Sequence, residues 1–368
     1  MICPHCFVDV SAKERTGQVC SRCTKRFALD PRIHGRGMND RRIKRIAEKA
    51  TEGGRLRMTV TQLWYLSRTS SGTSPARPAR GIRPGVRWLV AAPLAVLLLV
   101  AGNFVPGVPG AVTVTAAVAV VVTASLMRFR PATRASSYIT PSESQFRQMM
   151  AGPWAVAYGK PLPRVVNDGP HAPHPRTPPP ARPRVVILCT DHAAAVFLRR
   201  NAIPARLDAL LVEAGPGAAH EALADAPEGL PVVTLHDADA LGTLLAPLLR
   251  QAHPDRVVVD AGLPVTAVRT RRGAVHRVSS AATPSAADLR SLAGLSEADA
   301  AWLAQGYWSP LAAVPPRRLE AAVTAAVRRA LAARPPAGPR STDGFLTWPA
   351  EVPSPGGGPS RTKGAAAG

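Results

Sequence analysis

Acidic residues are scarce in this chain. Only 24 Asp and Glu stand against 46 Lys and Arg, a formal charge of +22. A balance so far to one side directs a protein toward phosphates, in nucleic acid or on lipid headgroups. Of that excess, +13 lies in residues 1–87, where 19 Lys/Arg meet 6 Asp/Glu. Aromatic residues are few, at 5%. The 38 prolines and 29 glycines gather in linkers, so a good part of the chain is not packed core. The weight of Ala, Arg, Pro and Gly suits a high-GC bacterial genome.

Cysteine is almost absent after residue 23, with Cys189 alone in an apolar run. That excludes a disulfide framework, which would spread cysteines through a loop-rich domain, and it points to a reducing compartment. No secretory signal precedes the first cysteines, since the first long apolar run begins near Trp88. There is no P-loop, no G-x-G-x-x-G and no convincing His/Asp/Ser constellation, which argues against the commonest enzyme classes.

Charge is missing altogether between Arg87 and Arg128. The stretch is broken once, by Gly102–Gly110, where two prolines and three glycines in nine residues rule out a helix interior. The remaining runs, about 88–104 and 110–127, are read as a transmembrane hairpin at the short end of spanning length. Arg77, Arg80, Arg83 and Arg87 precede the first run, and Arg128, Arg130 and Arg134 follow the second. The positive-inside rule puts both flanks in the cytoplasm of a bacterial plasma membrane, with both termini there.

What is present at the N-terminus is a pair of C-x2-C knuckles, Cys3-Pro-His-Cys6 and Cys20-Ser-Arg-Cys23, separated by 13 residues. Each knuckle aims two thiolates at one ion, and together they complete a tetrahedral four-sulfur shell that selects structural zinc. Residues 1–30 resemble a zinc ribbon. Residues 38–68 read as a basic amphipathic helical segment, in which Ile43, Ile46, Ala47 and Ala50 recur at helical spacing. Residues 69–87 are a linker, and 128–183 a juxtamembrane and proline-rich linker.

From residue 184 to 334 the pattern is α/β. Strands are expected at 184–190, 207–213, 230–236 and 256–262, with helices at 191–201, 217–225, 238–252, 285–305 and 316–334. That alternation predicts a mainly parallel sheet with helices on both faces. The tail, 335–368, reads as disordered. Asp191, Glu213, Asp237, Asp239 and Asp260 all fall at strand ends. Carboxyl ends of parallel strands form the usual crevice. Asp237 and Asp239 are therefore candidate catalytic residues and magnesium ligands, with Glu213 or Asp260 nearby. The bland alternative is that each only caps a helix.

The stretch PVVTLHDADALG, following RVVILCTDH and LLVEAGPGAAHEAL, resembles the D-x-D region of a Toprim domain, as in topoisomerase VI A subunits. The resemblance implies magnesium held by the D-x-D carboxylates together with a first-strand acid, and contact with DNA. The first-strand Glu of that family is missing here, and Asp191 is a shifted substitute. No winged-helix domain with a catalytic Tyr precedes it, since Tyr138 and Tyr158 lie beside the apolar region. The expectation is a degenerate Toprim-like fold kept for binding. The whole is read as a membrane-anchored, cytoplasm-facing zinc-ribbon protein acting as a binding or regulatory module. Its expected partners are the bilayer, an anionic membrane surface or nucleic acid at the basic N-terminal region, and a further protein. The alternative is a magnesium-dependent nucleic-acid or phosphoryl-transfer enzyme using Asp237 and Asp239.

Overall fold

The structure, a computed structural model, describes residues 1–333 except 36, 75–78, 105–108, 132–135, 171, 173–177, 179, 271–273 and 279–283. The expected tail from 335 lies outside the described residues, as does much of the proline-rich linker.

The two cysteine knuckles are copies of one turn. Cys3 N donates to Val8 O (2.9 Å) and Cys20 N to Lys25 O (3.1 Å), while Phe7 N and Thr24 N fold back onto Cys3 O and Cys20 O. Each turn closes on a left-handed residue, Phe7 at φ 60° and Thr24 at φ 58°. Bridges Ile2↔Asp9 and Val19↔Arg26 staple each knuckle.

Next come α1 (Asp40–Ala50), β1 (Met58–Thr59), α2 (Val60–Ser67) and β2 (Ser70–Ser74). Asn39 caps α1 by accepting from Arg42 N, and Thr59 with Gln62 forms a capping box on α2. Then follow α3 (Pro84–Phe104), α4 (Gly110–Leu126), β3 (Ser136–Thr140), α5 (Glu143–Ala151), α6 (Pro153–Tyr158) and β4 (Val165–Val166).

The 128–183 segment, read from sequence as a linker, is largely structured. β3 pairs antiparallel with β2 from Ser70↔Thr140 to Ser74↔Ser136, and β4 pairs parallel with β1. Phe146, Met149 and Trp154 of α5 and α6 enter one core with Ile43 and Ala47 of α1 and Leu63 and Trp64 of α2. Burying Phe146 or Trp154 contributes about 2–3 kcal/mol each. The partner of this amphipathic stretch lies some eighty residues upstream, across the apolar helices, so no local pattern could name it. We call the assembly of α1, α2, α5 and α6 the helical body.

The helices α3 and α4 run antiparallel. Gly102 near the end of α3 meets Thr113 near the start of α4, and Arg87 near the start of α3 donates to Met127 O just past the end of α4. Among the described residues, only α3, over Pro84–Gly102, is long and apolar enough to cross a membrane. The helix α4 has 17 residues, about 26 Å at 1.5 Å each, short of a hydrocarbon core of about 30 Å. The expectation of two full spans is thus met by one helix and a shorter apolar companion. Leu89 is 77% exposed and Leu97 65%, so the protein itself leaves these faces uncovered.

The last part opens with β5 (Val185–Cys189), α7 (His192–Arg200), α8 (Ile203–Arg206), β6 (Ala209–Glu213), α9 (Ala219–Ala224), β7 (Val232–Leu235), α10 (Ala240–Ala252) and β8 (Val258–Asp260). It closes with α11 (Val265–Arg269), β9 (His276–Arg277), α12 (Ala286–Ala293), α13 (Glu297–Ala304), β10 (Tyr307–Trp308), a 3-10 turn at Leu311–Ala313 and α14 (Pro316–Ala332). The expected helix 285–305 is split at Gly294, which closes α12 at φ 63°.

The four main strands are parallel in the order β6-β5-β7-β8. Val185, Ile187 and Cys189 of β5 face α7 and α14, while Val186 and Leu188 face α9 and α10. The alternation follows from the two-residue period of a strand. The two faces follow from handedness: the chain moves one way from β5 to β6 and the other way from β6 to β7. Right-handed crossovers in opposite directions place their helices on opposite faces. The α/β expectation therefore holds, and the switch in direction falls between β5 and β7.

The helical body and the α/β domain are clamped together. Arg57 N donates to Asn201 Oδ1 (2.7 Å), and Asn201 Nδ2 returns to Arg57 O (3.0 Å). Glu320 of α14 takes Arg55 and Arg206, each at 2.6 Å.

Candidate metal centre and switch-point cleft

The two knuckles bring the four thiols together. The sulfurs of Cys3, Cys6, Cys20 and Cys23 all lie within 4.8 Å of one another, the only such group of potential ligands among the described residues. Cys3 Sγ and Cys23 Sγ are 3.8 Å apart, as are Cys6 Sγ and Cys20 Sγ. A tetrahedron with metal–sulfur bonds of ~2.3 Å has edges of about 3.8 Å. Donor type, number and spacing thus fit one metal ion such as zinc. Cys3 and Cys20 are fully buried, and Val10 completes the small core around them.

This module is held to the helical body by one carboxylate. Asp40, fully buried at the start of α1, accepts from Ala28 N (2.8 Å), Leu29 N (2.7 Å) and Tyr158 Oη (2.5 Å). Lys44 Nζ sits 3.8 Å from the Tyr158 ring centre, and burial pushes its pKa down. Arg42 turns inward as well and donates to Ser67 O and Arg68 O at the end of α2. Two cations of the basic helix are therefore structural. The exposed ones are Lys13, Arg22, Lys25 and Arg26 on the metal module and Arg45 and Lys49 on α1.

The acidic strand ends are dispersed among other partners. Asp239 caps α10 by accepting from Gly242 N (2.6 Å). Asp237 Oδ1 accepts from Leu311 N (2.7 Å). Glu213 takes His192 (2.5 Å) and Arg199 (2.7 Å). Asp260 takes His236 Nε2 (3.0 Å) and Gly262 N (2.8 Å). The four do not converge as a set of magnesium ligands, so the magnesium expectation gains no support. Each carboxylate instead lies beside a backbone amide or a cation that it bonds.

Sequence reasoning missed what closes the switch point. Asp191 caps α7 through Ala194 N, and its other oxygen accepts from Ala312 N (2.9 Å). The 3-10 turn from a region some 75 residues beyond β7 thus seats on the ends of β5 and β7. Burial, then the neighbouring Asp191 charge, pushes the Asp237 carboxyl up to about 8. Burial raises Asp191 and Asp239 as well.

His236 lies between two of these acids. Its Nδ1 faces Asp237 O (2.7 Å) and its Nε2 faces Asp260. Burial opposes a charged ring, but two acceptors favour the doubly protonated form, and the pKa rises. Gly262 is required here, since a Cβ would lie 2.1 Å from Nε2.

Beside the turn is a cleft of about 380 Å³ lined by Asp237, Asp239, Leu303, Tyr307 and Trp308. Trp308 stacks on His276, whose Nε2 meets Tyr65 Oη from α2 at 3.1 Å. The D-x-D pair therefore borders a space, with one oxygen of each carboxylate taken by a backbone amide. No family model matches this chain, no curated protein matches it, and no solved structure matches it.

Proposed function

We propose that this is a bacterial plasma-membrane protein that acts as a binding or regulatory module. In this reading the four cysteines hold a structural zinc ion, and α3 and α4 form a transmembrane hairpin. The metal module, helical body and α/β domain all stand on the cytoplasmic side. Support for the common side comes from the chain itself: β2 and β3, which flank the apolar helices, pair over five residues. Support for zinc comes from the tetrahedral sulfur spacing.

The observation that carries the binding role over catalysis is the occupation of the switch point. Of the acids a Toprim-like enzyme would turn toward magnesium, Asp237 and the substitute Asp191 are bonded to the chain's own Leu311 and Ala312 amides, and Asp239 caps α10. A degenerate Toprim-like fold serving as a platform is consistent with that. The partner-facing surface is then the exposed basic set Lys13, Arg22, Lys25, Arg26, Arg45 and Lys49, suited to an acidic protein surface, nucleic acid or anionic membrane.

Cross-linking and mass spectrometry of the full chain in intact cells tests this reading. A partner recovered with the wild type and lost when Arg45 and Lys49 are changed to Gln supports it. A magnesium-dependent thermal shift or hydrolytic activity that disappears in Asp237→Asn would replace it with the enzyme reading.

A further inference from the structure

The two apolar helices are not evenly packed along their length. At the Phe104 end they touch: a Cβ on Gly102 would lie 2.1 Å from Thr113 Oγ1. Toward the opposite end Ala91 and Ala124 are still buried, and a groove of about 410 Å³ opens beside them. Val86, Val90, Ala91, Val120 and Thr123 line it, with Arg87 at its mouth. The lining is aliphatic apart from Thr123 and Arg87.

The end of the helix pair where that groove opens is cationic, and among the described residues none of its arginines is in a salt bridge. Arg80 and Arg130 are bridged backbone to backbone, by Arg80 N to Arg130 O (3.0 Å) and the return bond (2.9 Å). Arg83, Arg87 and Arg128 stand on the same two chain segments at the same end. Arg80, Arg83, Arg128 and Arg130 are exposed. Arg87 spends one guanidinium nitrogen on Met127 O, while its Nε is buried without a partner. No Asp or Glu occurs anywhere between Glu52 and Glu143. The carboxylates that elsewhere neutralise this chain's arginines are therefore absent from the segments that build this end.

A ligand matching both features is an amphiphile with an anionic head. Guanidinium groups bind phosphate through paired hydrogen bonds, and basic pockets beside membrane helices hold anionic headgroups. A free phosphate or a nucleic acid would leave the aliphatic groove unfilled. We propose that the Arg80–Arg83–Arg87–Arg128–Arg130 end of the helix pair is a binding site for one anionic phospholipid, its phosphate on the arginines and an acyl chain in the groove. This rests on the membrane reading above.

The test uses the full chain, in two arms. In the first, membranes are washed with alkaline carbonate. Retention keeps the membrane reading, whereas release of the protein overturns that reading and the lipid site with it. In the second, delipidated protein in mild detergent is titrated with phosphatidylglycerol and with phosphatidylcholine of the same acyl chains, and bound lipid is counted by native mass spectrometry. One phosphatidylglycerol should be retained at least about tenfold better than phosphatidylcholine, because only its headgroup carries a net negative charge for the arginines. Arg83→Gln with Arg87→Gln should bring the two lipids level. Val90→Trp, which fills the groove and keeps the arginines, should lower retention of both. Circular dichroism and metal content unchanged from wild type show that the variants are folded. Equal retention by the wild type, or a preference that survives both variants, would overturn the site while leaving the membrane reading intact. Displacement of the lipid by millimolar inorganic phosphate would overturn the two-part ligand.

Discussion

Asp191 and Asp237, at the ends of the neighbouring strands β5 and β7, hold the consecutive amides of Ala312 and Leu311. Two acids placed where an open α/β sheet offers its crevice are thus joined by a piece of the same chain. Burial raises the pKa of each, and the Asp191 charge adds to the rise at Asp237.

That arrangement sets the sign of a pH dependence. Asp237 ordinarily titrates near 3.8 and in the fold near 8. Between those values the folded chain holds a proton that the unfolded chain has released. The stabilisation is complete below the lower value and is lost as pH rises through the upper one, with a limiting slope of ~1.4 kcal/mol per pH unit. His236, also raised, loses its contribution in the same direction. The melting temperature of the full chain should therefore fall from about pH 5 to about pH 8. Asp237→Asn, which keeps an acceptor for Leu311 N and cannot ionise, should flatten that fall. An equal slope in both proteins would contradict the assignment.

Metal content is the second measurement. The full chain should carry one zinc, and Cys→Ser at Cys3, Cys6, Cys20 or Cys23 should remove it. Metal binding in small four-ligand modules contributes on the order of 10 kcal/mol to their folding. The first thirty residues should therefore become protease-sensitive on chelation while the α/β domain stays resistant. Chelated protein with an intact N-terminus would count against a structural metal.

Asp40 predicts how the module is held. Asp40→Ala strands two buried amides and the Tyr158 hydroxyl, each costing ~1–3 kcal/mol. The variant should lose about 3 kcal/mol and release metal to chelator faster. Tyr158→Phe removes one bond and should cost about 1 kcal/mol. Chemical denaturation of both variants checks the ranking, and equal losses would show that Asp40 is not the main anchor.

Topology follows from the β2–β3 ladder. Reporter fusions at residues 70 and 180 should report the same side, and an insertion between Phe104 and Pro109 the opposite one. Reports from opposite sides for residues 70 and 180 would be incompatible with Ser70 pairing with Thr140.

Much was legible in the sequence because it is encoded over short distances. The C-x2-C spacing brings two thiols to each turn. The apolar run of β5 reports burial on both faces, and Asp239 before α10 is an ordinary cap. The alternation from residue 184 onward gave the parallel sheet. Its strand order required only short crossovers of one hand.

Three features needed the tertiary structure. The helices α5 and α6, inside the segment read as a linker, belong to a folded body because their apolar side chains meet α1 and α2, which lie far upstream. Arg42 and Lys44 turn inward because Ser67 O and the Tyr158 ring are there to receive them, whereas the sequence shows only a basic helix. The acids at the strand ends resemble a site by position alone, yet the amides of Leu311 and Ala312 reach Asp237 and Asp191. In each case the deciding partner is remote in sequence, and a one-dimensional pattern records what a residue can bond to without recording what arrives beside it.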